Sequence, residues 1–380
     1  MKILQASFNR PLRTDDLVDL ASISPQLVLV FGSVALISHP DSLESLRRGF
    51  PDAELAGCST AGEISDDGVC DDQLILTAVH FNHPGVRVVH TDLRGMADSE
   101  AAGLRLAHQL SVPDLHSAVV FSPGVQVNGS ALIEGIAKGL APEVKLSGGL
   151  AGDGAEFKKT YTLSRHAVSS EQIVAVGFTA PQLELRHGSL HGWKPFGPAR
   201  KVTRCEGNVL HELDSSPALN VYKAYLGSYA DGLPGSGLLF PFEMLSESHE
   251  ATGLIRTILA VDEASGSLTL AGDITQGCYL RLMHATTNSL VDGAHDAAEA
   301  AAMDVPRGTQ HLALLVSCVG RKLVMGNRVD EEVEAVAGVL GSNVRIAGFY
   351  SYGEISPGPE GRTIADLHNQ TMTVTHLLEH

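Results

Sequence analysis

The sequence predicts an α/β fold: mixed sheets with helices, built from internally duplicated βαβ-type units and divided into two fused halves. Three observations carry that expectation. Apolar strand-like runs alternate with amphipathic helical patterns along the whole chain. A stretch near the C-terminus, Ala347-Gly-Phe-Tyr-Ser-Tyr-Gly-Glu-Ile-Ser356, has an ungapped echo in Ala56-Gly-Cys-Ser-Thr-Ala-Gly-Glu-Ile-Ser65, matching at Ala, Gly, Gly, Glu, Ile and Ser. A weaker third copy, Ser147-Gly-Gly-Leu-Ala-Gly-Asp-Gly154, is one residue shorter and carries Asp153 where the others have glutamate.

The elements follow in order. Leu27–Phe31 is a continuous apolar run, as in a strand buried on both faces. Asp41-Ser-Leu-Glu44 predicts an N-cap and a short helix ending near Gly49. Leu74–Phe81 and Val86–Thr91 are strands joined by Asn82-His-Pro-Gly85, and 99–110 is a helix. Ala118–Phe121 opens a second unit, whose helix starts after Ser130. Ile173–Phe178 is buried, and Leu183–Leu190 alternates. Ser216 and Pro217 predict an N-cap and N1 proline for a helix over Ala218–Leu226. Residues 254–262 and 267–271 predict a hairpin, Gly277–Met283 a strand and Ser289–Met303 a helix. Leu312–Cys318, a helix at 330–340 and Thr371–Thr375 complete the last unit.

The repeated glycines need a physical reason. Gly57, Gly62, Gly148, Gly149, Gly348 and Gly353 supply positive φ or let another backbone come close. Glu63 and Glu354 then occupy equivalent turns. Two roles stay open for them: accepting backbone N–H groups to lock the turn, or facing a ligand.

Composition narrows the function classes. The chain has 380 residues, 44% hydrophobic and 19% charged, with a formal net charge of −17. That balance opposes nucleic-acid binding, which needs clustered Lys and Arg. The N-terminus shows no apolar signal region, and no apolar stretch is long enough to span a bilayer. Five cysteines are scattered without CxxC spacing, so neither a disulfide framework nor a structural zinc site is expected, and a reducing cytoplasm fits. Residues 378–380 are expected to be a tag scar. There is no GxSxG elbow, P-loop or HExxH, so a binding module is expected instead of an enzyme. Cys58 reads as a small core residue, not a nucleophile.

The chain resembles the FIST family, a bacterial sensory domain with FIST-N and FIST-C parts. The residues that carry the resemblance are Ala56–Ser65, Gly148–Asp153, Trp193–Pro198 with Val202-Thr203, and Ser216–Leu219 with Tyr222 and Tyr225–Gly227. In the C-terminal half they are Ser317–Arg321, Gly348–Pro357 and Leu367–Thr371. The resemblance implies a FIST-N-like domain over 25–215 and a FIST-C-like domain over 216–377. It implies a small-ligand sensor for signal transduction, acting on a separate histidine kinase because no output domain is recognisable. Stand-alone members of the nitric-oxide-sensing type imply haem. With 17 histidines and no CxxCH, the cofactor-site candidates are His187, His191 and His284 with Trp193, while a turn-bracing role is expected of His368. The alternative is a colourless amino-acid-like ligand. It would be held by Arg281 or Arg321, with Arg204 also considered, and by Tyr350, Tyr352, Glu354 and Asn369.

Overall fold

The computed structural model describes residues 1–306, 308–357 and 364–380. One plan is used three times. The first unit runs β1 (Lys2–Phe8), α1 (Val18–Ala21), β2 (Leu27–Gly32), α2 (Val34–Ile37), α3 (Pro40–Gly49), β3 (Glu54–Ser59), the hairpin β4 (Glu63–Ser65) and β5 (Gly68–Cys70), then β6 (Leu74–His80). The second runs β7 (Val86–Asp92), α4 (Ser99–Leu110), β8 (Ser117–Ser122), α5 (Gly129–Gly139), β9 (Lys145–Leu150), the hairpin β10 (Thr162–Ser164) and β11 (Val168–Ser169), then β12 (Gln172–Phe178). The third starts at β13 (Leu183–Leu190) and is interrupted by an inserted domain over 191–286.

That domain holds β14 (Lys194–Pro195), β15 (Arg200–Glu206), β16 (Val209–Leu213), β17 (Ser216–Pro217), α6 (Ala218–Leu226), β18 (Phe242–Leu245), β19 (Ala251–Arg256), β20 (Ile258–Asp262), β21 (Ser267–Leu270) and β22 (Tyr279–His284). The third unit then resumes with α7 (Thr287–Ala301), β23 (His311–Cys318), α8 (Val319–Met325), α9 (Asp330–Leu340), β24 (Val344–Ser351), β25 (Gly353–Ser356), β26 (Asp366–His368) and β27 (Met372–Glu379).

The three core sheets share one strand order: β1-β6-β2-β3-β10-β11, β7-β12-β8-β9-β25-β26 and β13-β27-β23-β24-β4-β5. Each has a parallel pair at its centre, β2 with β3, β8 with β9 and β23 with β24. Each is completed by a hairpin from another unit: β10 joins β3, β25 joins β9 and β4 joins β24. The exchange is cyclic, so the core has an approximate threefold plan. Strands β2, β8 and β23 are buried along their whole length, as parallel strands covered on both sides must be. Their alternate side chains Leu27, Leu29, Val119, Leu312 and Leu314 meet around a narrow apolar void of about 20 Å³. Phe31, Phe121 and Phe349 pack together with ring centroids 4.9–6.1 Å apart.

The cyclic pairing explains the first glycine of each copy. A Cβ on Gly57, Gly148 or Gly348 would lie 1.8–2.0 Å from the carbonyl oxygen of Val30, Val120 or Leu315. No side chain fits there, because the neighbouring parallel strand comes too close.

Several expectations are corrected. The third copy is out of register after its glycines. By pairing, Glu63 faces Phe349, Glu354 faces Gly149 and Thr162 faces Cys58, so Thr162, not Asp153, is the counterpart of the glutamates. Residues between Leu150 and Thr162 form an insertion that shifts the register. Helix α3 is capped by His39, whose ring accepts from the Asp41 amide, and α5 by Asn128, which accepts from the Ala131 amide. Pro217 is the cap residue of α6 and not its first helical residue. Leu378 and Glu379, expected to be a tag scar, belong to β27; Glu379 accepts from the amides of Asn82 and His83. Residues 215–216, where the two family-like parts are expected to meet, lie between β16 and β17 of the inserted domain, which leaves that division standing. That domain has its own core around Val202, Leu219, Tyr222, Leu268 and Leu280. Among the described residues no helix is long and apolar enough to cross a membrane.

Candidate functional site

The two glutamate turns are built alike. Glu63 accepts from the Thr60 hydroxyl and, at 3.1 Å, from the Gln73 amide. Glu354 accepts from the Ser351 hydroxyl at 2.6 Å and from the Thr371 amide and hydroxyl at 3.1 and 3.0 Å. Each carboxyl thus ties its turn to the strand that returns after the hairpin. Both are buried, and burial, which opposes the charged form, pushes both up to about 7.

Most residues singled out for a ligand are committed within the protein. Arg321 is fully buried and paired with Glu332 at 2.7 Å; its other donors reach the carbonyls of His191 and Leu290. Glu332 also accepts from Ser317 and from Tyr350 at 2.6 Å. These groups brace the third unit against the inserted domain, with every guanidinium nitrogen of Arg321 already bonded within the protein. Arg281 is held by Glu243 at 2.6 Å, and Arg204 by Glu212 at 2.9 Å. Asn369 is buried with neither end of its amide partnered among the described residues, beside His368 Nε2 and Gln370 Oε1 in the same condition. The inserted domain covers this loop: Trp193 donates to the Gln370 carbonyl and Arg256 to that of Leu367.

The haem candidates do not come together. His187 lies on β13 with Nδ1 3.2 Å from the Thr375 hydroxyl, and burial, with Lys145 nearby, drives its imidazolium form down to about 3. His191 Nδ1 accepts from the Trp193 amide, and Trp193 fills a core with Leu290 and Met325. His284 is exposed on β22, edge-on to Phe196. None of the five best-formed cavities among the described residues is lined by these four side chains.

What the fold does build is a cleft of about 210 Å³ between the second unit, the third unit and the inserted domain. It opens where β8 ends, at the carboxyl end of a parallel strand, the usual place for a ligand in open α/β sheets. One wall is the loop 124–129 leading into α5, with Asn128 at the cap. Gly124 is required there: a Cβ would lie 1.8 Å from the Ala151 carbonyl and 2.8 Å from the Tyr352 ring. The floor is Leu150 with Phe157 stacked on Tyr352 at 4.1 Å and 15°. The opposite wall is Asn208, Leu259 and Thr269–Gly272 of the inserted domain.

Asp153 fixes that floor. It accepts from the Tyr352 hydroxyl and from the amides of Phe157, Lys158 and Lys159. Burial and the Asp153 hydrogen bond hold the Tyr352 phenol well above its ordinary value. Two non-glycine residues of the lining have left-handed backbone, Gln126 with φ 60° and Phe157 with φ 54°. Such strain persists only where surroundings impose it, and it collects at functional sites. Of the predicted ligand residues, only Tyr352 lines this cleft. Neither the segment 124–129 nor Phe157 and the inserted-domain wall was singled out from the sequence.

Comparison with known proteins agrees with the motif residues. The FIST N domain model matches residues 26–216 and the FIST C domain model residues 218–357. An uncharacterized protein of Methanocaldococcus jannaschii, MJ1623, is 24% identical over 203 residues, which cover 49% of this chain and 38% of that protein. The chain therefore spans well under half the length of that relative. A crystal structure of a cyanuric acid hydrolase from A. caulinodans aligns over 100% of this chain and 99% of its own at 11% identity, with a TM-score of 0.34, too low for any argument. With both models matched in order over most of its length, the chain belongs to the FIST family, whose domains are small-ligand sensors in signalling.

Proposed function

We propose that this FIST protein binds its small ligand in the cleft between the second unit and the inserted domain, and signals by the position of that domain. The single observation behind the reading is that the cleft's walls come from two parts of the chain, the inserted one with a core of its own, that the backbone links only at 190–191 and 286–287. A ligand touching both walls favours one arrangement of them, and its differential affinity sets how far the equilibrium shifts. The output is contact with a separate signalling protein, a histidine kinase in the expectation above.

Binding without turnover is part of the proposal. Asp153, which fixes the cleft floor, spends its oxygens on four donors. The Cys58 thiol is raised well above its ordinary value by burial, the opposite of what a nucleophile needs. The haem reading has no comparable support from the positions of its residues.

Leu259 is exposed at the cleft mouth, so Leu259→Trp narrows the cleft with little cost to the fold. A compound that raises the melting temperature of the wild type is expected to lose that effect in Leu259→Trp and to keep it in His284→Ala. Retention in Leu259→Trp, or loss in His284→Ala, contradicts the placement.

A further inference from the structure

The chemistry of the cleft lining says what it admits. No side chain of the lining is charged. The polar groups at its edge are neutral amides and hydroxyls, and several are already engaged: Asn128 donates to Asp273, Asn208 to the Leu270 carbonyl and Tyr352 to Asp153. The charged groups behind the walls are hydrogen-bonded within the protein: the Asp273 carboxylate accepts from Asn128. Asp153 has four donors, and Arg256, packed behind Gly272, gives its hydrogen bonds to the carbonyls of Ile255, Leu367 and Asp273. A charged ligand would lose its hydration here with no charged side chain in the lining to pair with, a cost of several kcal/mol in a desolvated site.

The apolar part has a shape. Phe157 is half-buried, stacked on Tyr352 on one side and lining the cleft. A further flat ring would continue that stack, and aromatic pairs gain beyond the area they bury. Met96 and Leu259 stand at the mouth 50% and 39% exposed, apolar surface that an occupant would cover. Thioether side chains adapt to irregular ligands. The volume of about 210 Å³ is below that of a drug-sized pocket and suits roughly ten non-hydrogen atoms.

We infer that this cleft selects an uncharged, ring-bearing small molecule, stacked on Phe157 and hydrogen-bonded by neutral amides, instead of an amino acid, an organic acid or an amine. The inference rests on the cleft being the sensor's ligand site.

The test uses matched probes of one size and three charges. Benzamide, benzoate and benzamidinium form one set; indole-3-acetamide, indole-3-acetate and tryptamine form another. Crystals with the cleft mouth free of lattice contacts are soaked with each, and affinities are measured by calorimetry on the full chain. Neutral members are expected in the cleft, about tenfold or more tighter than their ionic partners. The ring requirement is read separately in Phe157→Leu, which keeps apolar volume and removes the stack. Benzamide is expected to weaken severalfold there, while cyclohexanecarboxamide is unchanged. Charged members occupying the cleft as well as neutral ones overturn the ligand class and leave the cleft reading intact. A cleft empty across both sets overturns class and cleft together. Equal losses for benzamide and cyclohexanecarboxamide in Phe157→Leu overturn the stacking role.

Discussion

Two of the three pseudo-equivalent turns are locked by a buried glutamate, and the third is not. At Glu63 and Glu354 the carboxyl bridges the turn hydroxyl and the returning strand. In the second unit Thr162 stands at the same place and donates to the Gln172 carbonyl at 2.6 Å. There the chain inserts the segment before Thr162 and folds it around Asp153, and that segment supplies Phe157 to the cleft. The difference teaches where function sits in a repeated fold. The carboxyls of the two copies that keep the motif tie their turns, and the copy that departs from it supplies Phe157 to the cleft; the Glu63 turn also lines a second recess of about 510 Å³ with the 153–159 segment.

The comparison breaks most sharply at the brace of the third unit. Arg321→Ala leaves Glu332 buried without its cation, which is expected to cost about 3–5 kcal/mol in chemical denaturation. A loss under about 1 kcal/mol would mean that the Arg321–Glu332 pair does not hold the third unit as described.

The locks themselves are tested by pH. The folded value of both glutamates is raised to about 7 against an ordinary 4.5. A raised carboxyl favours folding while protonated, so its contribution is complete below about pH 4.5 and is lost as pH rises through about 7. Glu354→Gln keeps the neutral shape. From pH 5 to pH 8 the wild type is expected to lose about 2 kcal/mol more stability than Glu354→Gln. Parallel stability profiles for the two proteins would show that Glu354 does not titrate in this window.

The turn without a glutamate responds differently. Asp153→Ala removes the acceptor of four donors at a half-buried site, and about 1–2 kcal/mol of stability is expected to go with it. Ligand-induced stabilisation should fall further than that loss predicts, because the Phe157 backbone is no longer held in its left-handed conformation. An unchanged ligand effect would separate Asp153 from the cleft. The smallest effect is expected for His284→Ala on the exposed edge of the inserted domain, within about 0.5 kcal/mol and without change in ligand response.

How much of this the sequence carried depends on the range of the interaction. Strand runs such as Leu27–Phe31 and helices such as 99–110 and 330–340 were legible, because apolar periodicity is local. The duplication was legible because the first glycine of each copy is forced by the neighbouring strand. The register of the second unit was not, since an insertion hides Thr162 behind a false match at Asp153. The inserted domain was missed for a related reason: the Gly- and Pro-containing segment 191–198 marks a break after β13 but does not say that the chain returns to the same unit about a hundred residues later. Arg321, Tyr350 and Glu354 looked like ligand groups because charge is visible in sequence and pairing is not. The cleft draws its lining from segments far apart in the chain, so only Tyr352 of the expected set lines it.

The central claim is that the ligand sits at the turn without a glutamate and not at the two that have one. Amide hydrogen exchange of the full chain with saturating benzamide tests it directly. The account predicts slowed exchange in 124–129, in 153–160 and in 269–272, with the turns at 59–63 and 351–354 unchanged. Protection centred on 187–191, on 281–284 or on either glutamate turn would contradict it.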